Sequence, residues 1–191
     1  MLERWARVHE GMGQVVLVSG EAGIGKSRLV QVLKAHLADT PHTRWEYYGS
    51  PYYQHTAFYP LIDLWERTLH AQHAESPEAK LAKLEDALAQ YSLPLDETVP
   101  LLAALLSLPL PPERYAPLTL TPQRQRQQTL ETLLALTLER ATRHPVVLIM
   151  EDLHWVDPST LEFLTLLLEQ SPTAAIFMVS MEPSGLSAKV T

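Results

Sequence analysis

Residues 15 to 27 read Val15-Val16-Leu17-Val18-Ser19-Gly20-Glu21-Ala22-Gly23-Ile24-Gly25-Lys26-Ser27, an apolar β-branched run that ends in a glycine-rich loop closed by a Lys-Ser pair. Helically spaced Leu29, Val30, Val32, Leu33 and Leu37 follow. The spacing is G-x-x-x-x-G-K-[ST] in the context that gives it meaning, a strand before and a helix after. Gly20, Gly23 and Gly25 let the backbone turn sharply and approach a phosphate, so that successive N–H groups and the positive helix end face the anion. Lys26 then reaches the β- and γ-phosphates of a nucleotide, and the Ser27 hydroxyl reaches Mg2+. A plain turn needs neither three of the chain's seven glycines between positions 20 and 25 nor the Lys-Ser pair. The predicted nucleotide-binding set is Gly20, Glu21, Ala22, Gly23, Ile24, Gly25, Lys26, Ser27 and Arg28.

The fate of a bound γ-phosphate depends on a second strand that carries acids at its C-terminal end. After His144-Pro145 comes Val146-Val147-Leu148-Ile149-Met150, a continuous apolar run of the kind buried on both faces of a parallel sheet. Glu151 and Asp152 follow at once. Two carboxylates there can hold the Mg2+ shell and orient or deprotonate an attacking water, a Walker B arrangement. The sequence does not say which acid does which. Aligned on the common pattern of four apolar residues and two acids, Glu151 takes the metal-facing role and Asp152 the water-polarising one. The predicted catalytic set is Asp152, Glu151 and Lys26, and the predicted Mg2+ ligands are Ser27 and Glu151. Without the glycine loop, both acids would read as a solubilised strand end.

Asp157-Pro158 precedes the helical pattern Leu161, Phe163, Leu164, Leu167 and Leu168. A carboxylate there caps the helix, with proline at its first position, where a missing donor does no harm. His154 and Trp155 either pack on the sheet or, for His154, lie near the phosphates.

A chain of 191 residues with 46% apolar and 19% charged residues has the size and balance of one globular domain with its own core. The net charge of -7 disfavours non-specific binding to nucleic acid or an anionic membrane, so neither is expected as a partner. No Cys is present, which excludes disulfides, thiolate metal sites and a Cys nucleophile. There is no Asn either, hence no N-glycosylation acceptor. The longest apolar runs, Val146 to Met150 and Leu164 to Leu168, fall far short of a membrane span, and the chain is expected to be soluble and cytoplasmic.

Between the two motifs, Thr43 to Tyr48 predicts a second strand with poor alternation. From Phe58 to Arg143 the pattern is helical, and Pro94, Pro100, Pro109, Pro111, Pro112, Pro117 and Pro122 divide it into several short helices. Arg124 and Arg126 stand near the start of the last one and read as a solvated face. His70 and His73 have a spacing that can bind zinc, but no third ligand stands nearby. Tyr47, Tyr48, Tyr52, Tyr53, Phe58 and Tyr59 read as core and packing surface rather than a base-stacking platform. Strands at Val15 to Ser19, Arg44 to Tyr48, Val146 to Met150 and Ala174 to Ser180 predict a three-layer P-loop α/β sandwich with a parallel sheet. Its long helical insertion, about 58–143, separates the second strand from the Walker B strand. Nucleotide is expected at the C-terminal ends of the first and third strands.

The run Glu151-Asp152-Leu153-His154-Trp155-Val156-Asp157-Pro158-Ser159-Thr160-Leu161, taken with Gly20 to Ser27, resembles the ATPase domain of the STAND class of signal-transduction ATPases. More narrowly, it is similar to the AAA-like ATPase module that follows the cyclase domain in large bacterial class III adenylate/guanylate cyclases. Ser50-Pro51-Tyr52-Tyr53-Gln54, Tyr59-Pro60-Leu61-Ile62-Asp63-Leu64, Pro100 to Ser107 and Leu120-Thr121-Pro122-Gln123-Arg124 are similar to that module as well, so the resemblance spans nearly the whole chain.

The resemblance implies ATP and Mg2+ as cofactors and slow hydrolysis that toggles an arrangement of domains. It also implies covalently attached cyclase and helical-repeat domains as partners. Such proteins usually carry an Arg just after the strand that follows Walker B, before a Pro. Here Ile176-Phe177-Met178-Val179-Ser180-Met181-Glu182-Pro183 puts Glu182 there, where a carboxylate repels a triphosphate, and this weighs against hydrolysis more than against binding. The Gly-Arg-Glu-type segment that helps hold adenine and the final strand, lid and winged helix have no counterpart from Met1 to Thr191. The chain is therefore expected to be a piece of a larger switch protein, and the choice of base is not readable from it. Alternatives are a nucleotide-binding scaffold without hydrolysis and a small-molecule kinase. An origin-recognition-type DNA-binding ATPase is weaker, since that role lives in the winged helix.

Overall fold

The computed structural model describes residues 1–69 and 75–183, so His70 and His73 lie outside the described residues. It divides into two compact units, one built from Met1–Leu61 with the chain from Thr137 onward and one from Ile62–Leu136.

The first unit holds a four-stranded, all-parallel sheet made of β1 (Gln14–Gly20), β2 (Thr43–Tyr48), β3 (Val146–Glu151) and β4 (Ile176–Pro183). The strand order is β1-β4-β3-β2, so the last strand in sequence lies between the glycine-loop strand and the acid-bearing strand. Helices cover both faces. On one, Trp5 and Val8 of α1 (Leu2–His9) and Val30, Leu33 and Leu37 of α2 (Lys26–Leu37) form a core with Val147, Ile149, Phe177, Val179 and Met181 of the sheet. On the other, Leu164 and Leu168 of α7 (Pro158–Gln170) line a small apolar cavity with Val15, Leu17, Met150 and Met178. This is the expected α/β sandwich. Central β3 and β4 are buried along nearly their whole length, which is why their sequences are continuous apolar runs. Edge strand β1 alternates between half-buried and exposed positions.

Between β2 and β3 come the predicted helices, α3 (Tyr59–Thr68), α4 (Pro77–Leu88), α5 (Leu95–Leu105) and α6 (Pro122–Arg143). Pro100, expected to end a helix, lies buried inside α5 instead. A proline there removes one backbone hydrogen bond, and burial beside Val99, Leu101 and Leu102 offsets that loss. In this second unit α4 packs on α5, and Leu81, Leu84 and Leu88 of the first helix and Leu101 and Leu102 of the second are buried. The Arg114 guanidinium donates to both Glu85 carboxylate oxygens at 2.7 Å. Arg124 and Arg126 are exposed, as read.

Two further differences bear on the site. Strand β4 runs three residues past its predicted end, so Glu182 lies within the sheet, paired in register with Ser19 and only 6% exposed. The aromatic cluster is split: Tyr47 and Phe58 are buried, whereas Tyr48 and Tyr53 are exposed and Tyr52 is 89% exposed. Tyr53 and Tyr59 stack with ring centroids 3.7 Å apart. Among the described residues, no helix is long and apolar enough to cross a membrane.

Candidate functional site

The loop from Gly20 to Gly25 joins the end of β1 to α2, at the C-terminal edge of the sheet. Gly23 and Gly25 hold φ values of +81° and +101°, in the left-handed region that side chains disfavour, and a Cβ on either would meet open space. The two glycines therefore supply the left-handed turns that a phosphate cradle requires, on a side of the loop open to solvent. Gly25 is the N-cap of α2 and supplies no side-chain cap, and the first turn carries Lys26 and Arg28 with no acid. Cations at a helix N-terminus are unfavourable by themselves, so this end suits an arriving anion. The Lys26 ammonium donates to the carbonyls of Gly20 at 2.6 Å and Glu21 at 2.9 Å, which holds it across the loop. Ser27 is exposed on the same first turn. These donors fit a polyphosphate, and Ser27 fits an outer Mg2+ ligand.

Glu151 is the last residue of β3, and Asp152 is the first beyond it, exposed and in the left-handed region at φ 56° and ψ 45°. Because β4 intervenes, the ends of β1 and β3 are two strand spacings apart, about 10 Å. A polyphosphate with its metal can bridge that gap, and the buried Glu182 carboxylate belongs to the strand inside it. Among the described residues no group of three or more His, Asp or Glu is arranged to hold a metal. Phosphate oxygens and water would have to complete any Mg2+ shell begun by Ser27 and Glu151.

Glu151 shares a sheet face with Val147 and Ile149, the face covered by α2. Burial pushes its carboxyl above the ordinary value; Lys34 pulls it down, while the charges of Asp152 and Glu46 push it further up. Lys34 and Glu46 were not among the predicted site residues. Lys34 follows Ser27 by seven positions, two helical turns, and so lies on the same side of α2. Its ammonium pairs with Glu46 Oε2 at 2.7 Å; the Tyr48 hydroxyl donates to the same oxygen at 2.7 Å, and Arg44 Nε pairs with Oε1 at 2.9 Å. Tyr48 is the register partner of Glu151. The seven-residue step from Ser27 is the one trace of this arrangement in the sequence.

Burial alone pushes the Glu46 carboxyl up, but hydrogen bonds from Lys34 and Tyr48 and the charges of Lys34 and Arg44 outweigh it and hold the group below its ordinary 4.5. Glu46 therefore stabilises the fold fully above its unfolded-state value, and that contribution is lost as pH falls through the lowered one. Urea midpoints measured from about pH 6 down to about pH 3 should fall more steeply for the wild type than for Glu46→Gln.

Asp157 caps α7 as expected, accepting from the Ser159 and Thr160 amides at 3.0 Å. It also accepts from the Thr160 hydroxyl at 2.6 Å and the Phe58 amide at 3.0 Å, which ties the end of the 49–58 loop to this helix. Trp155 is 36% exposed and packs at 4.8 Å from the His154 ring. His154 Nδ1 and Ser180 Oγ are buried with no hydrogen-bond partner among the described residues.

No curated protein matches the chain. The family model described as AAA ATPase domain matches residues 1–179, nearly its whole length. With a glycine loop between β1 and α2, an acid pair ending β3, and a parallel sheet to carry both, the chain belongs to the AAA ATPase domain family of ATP-binding modules.

Proposed function

We propose that the chain is an ATP-binding, slowly hydrolysing switch module of a multidomain signalling protein, of the STAND type found beside bacterial class III cyclases. The observation that carries this reading is the common sheet edge: the phosphate loop leaves β1, Glu151 ends β3 with Asp152 just beyond it, and β4 with Glu182 runs between them. Backbone N–H groups of the loop and Lys26 bind the β- and γ-phosphates. Ser27 and Glu151 would hold Mg2+, which would neutralise phosphate charge. Asp152, beyond the strand end and open to solvent, orients an attacking water and accepts its proton. Glu182, on the strand between the loop and the acids, opposes the negative charge that develops at the γ-phosphate and offsets part of what Lys26 supplies, which slows the step. Output then resides in cyclase and helical-repeat domains joined to this module.

Multiple-turnover phosphate release with Mg-ATP tests the assignment. Asp152→Asn should lower kcat about 10²-fold or more, whereas Glu182→Gln should raise kcat or tighten ATP binding about tenfold, the size of one charge term across about 10 Å at an effective dielectric near 20. The buried Glu182 also favours a second reading, a nucleotide-binding scaffold without hydrolysis. ATP binding with no release above a Lys26→Ala control would select the scaffold and reject the ATPase.

A further inference from the structure

We propose that Gly49 is a positioning residue for Asp152, acting through the backbone of the turn after β3; the proposal rests on the reading of Asp152 as the water-polarising acid. Gly49 is the first residue beyond β2, and its amide donates to the Glu151 carbonyl at 2.9 Å. It is not among the residues with positive φ, so the need for glycine is not conformational. It is spatial. A Cβ at this position would lie 2.2 Å from the Asp152 carbonyl oxygen, 3.0 Å from its carbon and 3.3 Å from Trp155 Cβ. The first two are backbone atoms that no rotamer change can move aside. The same Asp152 carbonyl accepts from the Trp155 amide at 2.9 Å, so the peptide is held from two sides.

Asp152 adopts a left-handed conformation that an isolated chain visits rarely, and such geometry persists only where its surroundings over-determine it. The loop leaving β2 supplies those surroundings. It is anchored at one end by Gly49 on the Glu151 carbonyl and at the other by the Phe58 amide on Asp157 Oδ1. The segment from Glu151 to Asp157 is thereby held from both ends by one strap, whose middle exposes Tyr52 to solvent. A side chain at residue 49 must displace the Asp152 peptide by about an ångström, and a misplacement of that size at a reacting group costs roughly 10²-fold in rate.

Gly49→Ala is therefore expected to lower kcat for Mg-ATP hydrolysis about 10²-fold while KM for ATP stays within about threefold, because the phosphate loop follows β1, two strands from β3. Tyr52→Ala, on the same strap but with its ring in solvent, should leave kcat unchanged. Hydrogen exchange supplies a readout that does not need turnover: in Gly49→Ala the Trp155 amide should exchange at least tenfold faster. In the wild type, the Gly49 and Trp155 amides should open together as one unit. Unchanged kcat and exchange in Gly49→Ala would overturn the proposal, as would a parallel loss of kcat, ATP affinity and melting temperature, which marks a merely structural glycine. If the wild type releases no phosphate, the hydrolytic reading fails by itself, and faster Trp155 exchange in Gly49→Ala still supports the positioning of the turn. If Gly49→Ala does not fold, independent opening of the two wild-type amides overturns the proposal, and joint opening supports it.

Discussion

Replacing Lys26 with alanine is expected to abolish the rise in melting temperature that Mg-ATP produces in the wild type. The Lys26 ammonium lies across the glycine loop on the Gly20 and Glu21 carbonyls, and in the proposed site it turns to the β- and γ-phosphates. A ligand that binds only the folded state stabilises it by RT ln(1 + [L]/Kd), about 2.7 kcal/mol at a hundredfold excess over Kd. For a chain of this size that corresponds to a rise of about 5–10 °C. Removing the cation lowers affinity by one charge-assisted contact or more, about 2–3 kcal/mol, which brings the shift at the same ATP concentration close to zero. Lys26 is half-buried and bonded only to carbonyls of its own loop, so Lys26→Ala should lower the ligand-free melting temperature by no more than a few degrees, and the comparison is made on the ATP-induced shift within each variant. A wild type that shows no shift at millimolar Mg-ATP would overturn the nucleotide site itself.

The largest loss of stability is expected from Asp157→Ala. Its carboxylate is 1% exposed and accepts hydrogen bonds from the Phe58, Ser159 and Thr160 amides and from the Thr160 hydroxyl. Truncation removes the N-cap of α7, worth about 1 kcal/mol. It also leaves buried donors unsatisfied, each at about 1–3 kcal/mol. The sum is about 3–5 kcal/mol, read as a fall in the urea midpoint with the slope unchanged. Asp157→Asn keeps an acceptor oxygen and should recover roughly half of the loss. The same variant frees the Phe58 end of the strap, so Asp157→Ala should also speed exchange across residues 49–58 beyond what global destabilisation accounts for.

Elements with strong local signals were legible from residue order. The glycine loop, the β3 run and its acids, the Asp157 cap and the leucine-spaced helices all stand where periodicity and capping chemistry put them, because each depends on neighbours within a few residues. Two local expectations gave way to packing. Pro100 lies inside α5 because its neighbours bury it there. Strand β4 extends through Glu182 because β1 continues beside it as far as Gly20, and the added residues extend the backbone hydrogen-bond ladder on that side after pairing with β3 has ended at Ser180.

Helix and strand type, the loop that suits a phosphate and the acids that suit its metal are therefore properties of the residue order alone. The order of the strands, the burial of Glu182 between the loop and the acids, the Lys34–Glu46 pair on the Glu151 face and the fit of Gly49 against Asp152 depend on the assembled sheet. The physical reason is distance along the chain. Gly49 and Asp152, like Phe58 and Asp157, are about a hundred residues apart, and no local pattern encodes a contact that forms only when β2 and β3 lie side by side in register.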